Sequence, residues 1–157
     1  MSNKAYIGII NALVYLWQLP QHLIGLLLIL VLRAKKVAFL HIWEGHWFWE
    51  FERKGQLTRS ISGCSLGKYI ILPARENFKE ALLHEYGHSI QSRYLGPLYL
   101  LVVGIPSAIF NNLWDRLFHK KWPFEKRLQW YYSRWPEKQA DELGGVQREF
   151  STINIMQ

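Results

Sequence analysis

The chain opens on a long apolar run. Residues 5–32 include no Lys, Arg, Asp or Glu, and the run stops at Arg33, Lys35 and Lys36. As one helix its 28 residues would span roughly 42 Å at about 1.5 Å per residue, more than the hydrocarbon core of a bilayer requires. A polar notch, Gln18-Leu-Pro-Gln-His22, interrupts the run. The pattern therefore predicts either one kinked, tilted span or two short limbs that turn back at Pro20. A cleaved signal peptide fits poorly, because the apolar part is too long, Lys4 is the only early basic side chain and no small-x-small site closes it. A helix pair buried in a soluble core is the plainer alternative. The length of the uncharged stretch favours insertion into a membrane.

A second uncharged run covers residues 94–110, punctuated by Pro97, Gly104 and Pro106. That punctuation predicts a break and a return in place of one clean helix. Between the two runs the texture changes. Residues 37–43 and 47–52 are rich in aromatic and β-branched side chains, and Trp47, Trp49 and Phe51 alternate with Phe48, Glu50 and Glu52. This is the period of a half-exposed strand. Lys54-Gly55-Gln56 reads as a turn, 57–61 as a third short strand, and 66–72 as a further strand ended by Pro73. Residues 37–72 are thus expected to form a small antiparallel sheet.

Composition narrows the class. With 157 residues, half of them hydrophobic and 15% aromatic, the chain suits one compact domain and excludes a disordered protein. Cys64 is the single cysteine, so a bound metal must be held by His and carboxylate. The net charge of +7 is scattered, with no Arg/Lys stripe between exposed aromatics. Nucleic acid is therefore not expected as a partner, and an anionic lipid bilayer is.

The candidate chemistry lies in a helical pattern over 77–93. There His84-Glu85-Tyr86-Gly87-His88 places two imidazoles four residues apart, on one face, where both reach one metal ion. Glu85 projects beside the pair, able to take a proton from a metal-bound water. An incidental pair of histidines on an ordinary helix is the competing explanation. A catalytic zinc needs a third protein ligand, with a fourth position open. His22, His41, His46 and His119 are available, but a better candidate follows Pro136. Glu137 and Asp141 are again four apart, on a helix over 136–143 begun by Pro136 and closed by Gly144-Gly145. Glu137 would ligate the metal, and Asp141 would accept the outer N–H of a ligating imidazole.

Together, His84-Glu85-x-x-His88 and Glu137-x-x-Ala140-Asp141 resemble the gluzincin clan of zinc metallopeptidases. The second motif is most similar to the membrane-bound branch that includes the heat-shock membrane protease and the CAAX prenyl protease. The resemblance implies a minimal zincin-like α+β domain holding one Zn2+ on His84, His88 and Glu137. It implies Glu85 as general base, Asp141 behind a ligand, and a peptide or protein substrate. By the same resemblance, the strand beginning Leu66, Gly67, Lys68 and Tyr69 is the sheet edge that aligns an extended substrate. A developing oxyanion would need a further donor, and His119, Tyr131, Tyr132 and Arg134 lie between the motifs.

Shared ligation constrains topology. His88 precedes the second apolar run and Glu137 follows its end by 27 residues, so that run must double back, lie in the interface or pack within the protein. The basic residues after both runs (Arg33, Lys35, Lys36; Arg116, Lys120, Lys121) would face the cytoplasm. The expected location is a bacterial inner membrane with the site at its cytoplasmic face. Two rivals remain: a site-2-type intramembrane metalloprotease using Asp141 as third ligand, and a non-catalytic membrane-anchored metal-binding protein.

Overall fold

The computed structural model of the protein describes residues 3–40, 45–55, 58, 61–74 and 79–148. Among them the elements run α1 (Asn3–Trp17), α2 (Leu19–Leu32), β1 (Lys35–Leu40), β2 (His46–Phe51), β3 (Cys64–Leu66), β4 (Tyr69–Pro73) and α3 (Lys79–Leu95). A tight turn over Gly96–Leu98 and two wide-wound stretches, Leu100–Gly104 and Pro106–Leu113, follow. They lead into α4 (Trp114–Phe118), α5 (Phe124–Tyr132) and α6 (Glu137–Gly144). The architecture is α+β, as expected. Residues 41–43 of the first expected strand, His41 included, and most of the expected strand over 57–61 lie outside the described residues.

The sheet is mixed, which corrects the antiparallel expectation. Its order is β1-β2-β4-β3. β1 and β2 pair antiparallel, β2 and β4 pair parallel from Trp47↔Tyr69 to Phe51↔Pro73, and β3 and β4 form an antiparallel hairpin. The strand expected over 66–72 is divided by that hairpin. Gly67, at φ +62°, and Lys68 make the two-residue turn, and a Cβ on Gly67 would meet His22 Nε2 at 2.6 Å. The residues expected to align a substrate divide with it: Leu66 belongs to β3, at the edge of the sheet, Gly67 and Lys68 to the turn, and Tyr69 to β4, which has a neighbour on each side. Alternation along a strand tells which side chains share a face, but carries no information about the direction of the partner.

β4 is buried on both faces, which is why Ile70-Ile71-Leu72 shows no polar alternation. Tyr69 and Ile71 join Phe51, Ile29 and Leu32 in one core, against α2. Ile70 and Leu72 join Phe48 and Leu82 in the other, against α3. The sheet thus lies between a helix of the first apolar run and the helix bearing His84 and His88. Burying side chains of this size on both faces contributes about 1.5–3 kcal/mol each.

Both apolar runs are bent. Among the described residues no single helix is long and apolar enough to cross a membrane. The axis turns by 70° between Ala5–Trp17 and Leu19–Leu32, and by 119° between Lys79–Leu98 and Leu100–Phe118. The first bend falls at Gln18, two residues before Pro20, and the second falls at Tyr99. Gly104 and Pro106 sit inside the wide-wound stretches, a winding that accommodates a missing N–H. The polar notch is buried in protein. Gln18 Nε2 donates to Ser92 Oγ at 2.9 Å, Trp17 Nε1 to the Arg93 carbonyl at 3.1 Å, and Gln21 Nε2 to the Gly96 carbonyl. These bonds dock the first bend on the end of α3, just before the second. Leu13, Leu16, Leu27, Leu30, Leu101 and Phe110 remain exposed.

Candidate metal centre

The centre begins with a close approach of two helices. A Cβ on Gly87 of α3 would fall 1.8 Å from the Ala140 carbonyl oxygen, and one on Gly144 of α6 would fall 2.0 Å from the Leu83 carbonyl oxygen. Glycine at both positions lets the two backbones touch. That contact brings Glu137, in the first turn of α6, between the two histidines of α3. Glu137 Oε2 lies 3.1 Å from His84 Nε2 and 3.2 Å from His88 Nε2. Ligands about 2.0–2.1 Å from a tetrahedral ion stand about 3.3 Å apart, close to these separations. His84, His88 and Glu137 are all buried and form the group, among the described residues, that could hold a metal ion.

The outer ring nitrogens fix which lone pairs face inward. His84 Nδ1 is 2.7 Å from Asp141 Oδ1, and His88 Nδ1 is 2.7 Å from Gln91 Oε1. With both Nδ1–H groups donating outward, each neutral imidazole turns its Nε2 lone pair toward Glu137. Lone pairs facing a carboxylate at this distance require positive charge between them, either protons on the rings or one cation. Glu137 Oε1 is buried and has no hydrogen-bond partner among the described residues, so the carboxylate retains coordinating capacity. The donor set therefore fits a metal ion on the residues present.

The electrostatics agree with shared positive charge. Burial opposes charge on His84, but hydrogen bonds to Asp141 and Glu137 outweigh it and raise its pKa to about 9. Burial likewise opposes charge on Glu137, yet the hydrogen bonds from His84 and His88 hold its carboxyl well below the usual range. Asp141 is lowered against its burial by His84 and by Arg148. Glu85 is different: burial pushes its carboxyl up, against the pull of His88 and His84. Its Oε2 is buried without a partner among the described residues, and Gly63 leaves room for the group, since a Cβ there would stand 2.8 Å from Glu85 Oε1.

Glu85 and the three metal-binding candidates line one cleft of about 1080 Å³. One wall is 61–66, which includes β3, and others are built by α2 through Ile24 and Leu28 and by the second apolar run through Leu100 and Ile105. Tyr131 and Tyr132 line the cleft as well. The Tyr132 and His84 rings meet edge to face at 5.3 Å, and the Arg148 guanidinium lies over the Tyr132 ring, 3.4 Å from its centre. Burial raises both phenols, Tyr131 and Tyr132. His119 and Arg134 are not brought there. They gather on Trp130, at 4.3 and 4.7 Å, and His119 also stacks on Trp122. Neither residue lines the cleft, whereas Tyr131 and Tyr132 of α5 do.

The other histidines considered as third ligands also lie elsewhere. His22 Nε2 accepts the Lys68 N–H at 3.2 Å and its ring stacks on Tyr15. His46 stands edge-on to Tyr86. Two contributors were not singled out from the sequence. Gln91 orients His88, donates to the Pro136 carbonyl at 3.1 Å and so ties α3 to the start of α6. Its place three residues beyond His88, on the same helix face, was the available signal. Arg148 grips Asp141 through Nε to Oδ2 at 2.6 Å and Nη2 to Oδ1 at 2.9 Å. It follows α6 on a non-helical segment, and no spacing rule marks it. Comparison with protein-family models, with curated proteins and with solved structures finds no match to this chain.

Proposed function

We propose that the chain is a membrane-associated zinc metallopeptidase of the gluzincin kind, cleaving a peptide or protein substrate at the cytoplasmic face of a bacterial inner membrane. The observation that carries the reading is the convergence of His84 Nε2, His88 Nε2 and Glu137 Oε2 in the cleft that also holds Glu85. Two nitrogens and one carboxylate oxygen are a donor set that suits catalytic zinc with one open position. When bound, zinc polarises the scissile carbonyl and lowers the pKa of a coordinated water toward about 7. Glu85 takes up a proton at its carboxylate and returns it to the leaving amine. A carboxyl pushed up by burial is suited to carrying that proton. Tyr131 and Tyr132 remain as hydroxyl donors for the developing oxyanion. The exposed apolar surface of α1, α2 and the second run supports contact with lipid, and the basic residues that follow each run support the cytoplasmic orientation.

The site-2-type reading requires Asp141 as a ligand. Asp141 instead pairs with the outer nitrogen of His84 and with Arg148, which favours Glu137. The non-catalytic reading requires a closed site, and among the described residues no fourth His, Cys or carboxylate joins the group. Zinc quantitation and a peptide-library cleavage assay on the same preparations test the proposal. Wild type is expected to bind one zinc and cleave; Glu85→Gln to bind zinc and lose about 10²–10⁴-fold in rate; Glu137→Ala to lose zinc. Full activity in Glu85→Gln, or full zinc binding in Glu137→Ala, would overturn the assignment.

A further inference from the structure

α6 is closed in a way that sends the chain back toward its own helix. Gly145 sits at φ +73°, and the N–H groups of Gly145 and Val146 return to the Glu142 and Asp141 carbonyls. Such a left-handed closure favours glycine, since a Cβ would strain it. Three residues further on, Arg148 has come back to Asp141, seven positions earlier in the chain.

There the guanidinium makes two kinds of contact at once. Its Nε–H and Nη2–H donate to the two oxygens of Asp141, at 2.6 and 2.9 Å, and it lies over Tyr132, 3.4 Å from the ring centre. Asp141 Oδ1 also accepts the His84 Nδ1–H at 2.7 Å, and the Tyr132 ring meets that of His84 edge to face at 5.3 Å. Arg148, Asp141, His84 and Tyr132 therefore close a ring of contacts that joins α3, α5, α6 and the segment after α6. We infer that Arg148 is the positioning residue of the metal centre. Through Asp141 and Tyr132 it holds the orientation in which the His84 Nε2 lone pair faces Glu137.

The reason lies in what each bond leaves free. One hydrogen bond from His84 restrains a single oxygen of a carboxylate, which can still turn about its own bond to the chain. Paired N–H donors of a planar guanidinium hold both oxygens in one plane, which a lysine ammonium does not do. The same flat group resting on Tyr132 keeps the fork aligned. The side chains of Arg148 and Asp141 retain only 15% and 11% of their exposure, so the pair is little screened by solvent. The contact with Glu80 is of another kind: it is 3.9 Å long and the Glu80 side chain is 71% exposed, the loose geometry of a surface pair that contributes little. The inference rests on His84, His88 and Glu137 as metal ligands and not on peptidase activity.

The test measures zinc on the full chain. Affinity is read by competition with a chelating dye, and the His84 Nδ1–H resonance is followed at saturating zinc in protein carrying isotope-labelled histidine. Wild type is expected to show a slowly exchanging, strongly downfield Nδ1–H. In Arg148→Gln that proton is expected to exchange faster with water, and zinc affinity to fall by about 10–100-fold. Arg148→Lys keeps the charge without the fork, and its affinity is expected to stay nearer to that of Arg148→Gln than to wild type. Glu80→Gln is expected to match wild type. Far-UV circular dichroism and the melting midpoint of the metal-free variants separate loss of position from loss of the fold, and Arg148→Lys carries the test if Arg148→Gln does not fold. Wild-type affinity in either Arg148 variant, or an unchanged His84 resonance, would overturn the inference. Zinc binding with these losses but without cleavage would support it and refute the peptidase reading alone. Absence of zinc binding in wild type would overturn both.

Discussion

His84 and His88 present the same nitrogen to Glu137 yet lean on unlike partners. Behind His84 stands a carboxylate, Asp141, itself held by Arg148; behind His88 stands the neutral amide of Gln91. Outer partners of this kind commonly affect metal affinity by about 10–100-fold. Gln91→Leu is expected to weaken zinc binding in that range, measured by competition with a chelating dye, while Gln91→Glu retains an acceptor and restores most of it. Unchanged affinity in Gln91→Leu would show that the amide is only structural. The titrations have a sign that can be checked without activity. Because the folded pKa of His84 is raised from 6.5 to about 9, its protonation contributes stability that is complete below about 6.5 and lost as pH rises through about 9. Glu137 is depressed from 4.5, so its contribution is present above about 4.5 and lost as pH falls through its lower folded value. Metal-free protein should therefore melt at lower temperature as pH rises from 6.5 to 9. Metal-loaded protein should not, because ligation already requires the neutral ring. Parallel melts with and without chelator would decide it, and an alkaline loss that persists with metal would contradict the assignment.

The two motif helices are legible in the sequence because their periodicity and their end signals coincide. Spacing four apart put His84 above His88 and Glu137 above Asp141, and Pro136 with the terminal glycines bounded α6. What spacing does not contain is the approach of α3 to α6, which depends on the missing Cβ atoms of Gly87 and Gly144. Gly87→Ala is expected to destabilise by about 1–3 kcal/mol through overpacking against a backbone carbonyl, despite the better helix propensity of alanine. Urea unfolding measures it, and an equal or higher midpoint would mean that the helices part without cost. In the sheet the reach of the sequence was shorter. Trp47, Trp49 and Phe51 announced a strand, but pairing direction is a property of two strands and a connection. Leu66 and Tyr69 looked continuous because Gly67-Lys68, a two-residue hairpin turn, carries none of the usual Asn-Gly or Asp-Gly punctuation.

At the scale of the molecule, the apolar runs serve two surfaces at once. α2 covers one face of the sheet through Ile29 and Leu32 and leaves Leu27 and Leu30 outside. The polar notch that looked like an interruption of a membrane span is the strip that binds the first bend to α3 through Gln18 and Gln21. Removal of metal is expected to lower the melting midpoint of the whole domain and not of α6 alone, because an ion held by His84, His88 and Glu137 would join α3, at the sheet, to α6. Calorimetry showing a single transition in both states, at a lower temperature without metal, is the expected result; an unchanged midpoint would place the ion outside the fold's stability. From its own order of residues the chain determined an α+β class, two interrupted apolar runs, and two pairs of polar side chains four apart, His84 with His88 and Glu137 with Asp141, since each follows from local period and local breakers. Tertiary structure alone decided that the pairs meet, that Gln91 and Arg148 stand behind them, and that His119 and Arg134 turn away. Those outcomes depend on how closely separate backbones approach, and that distance is set by side chains far apart in sequence.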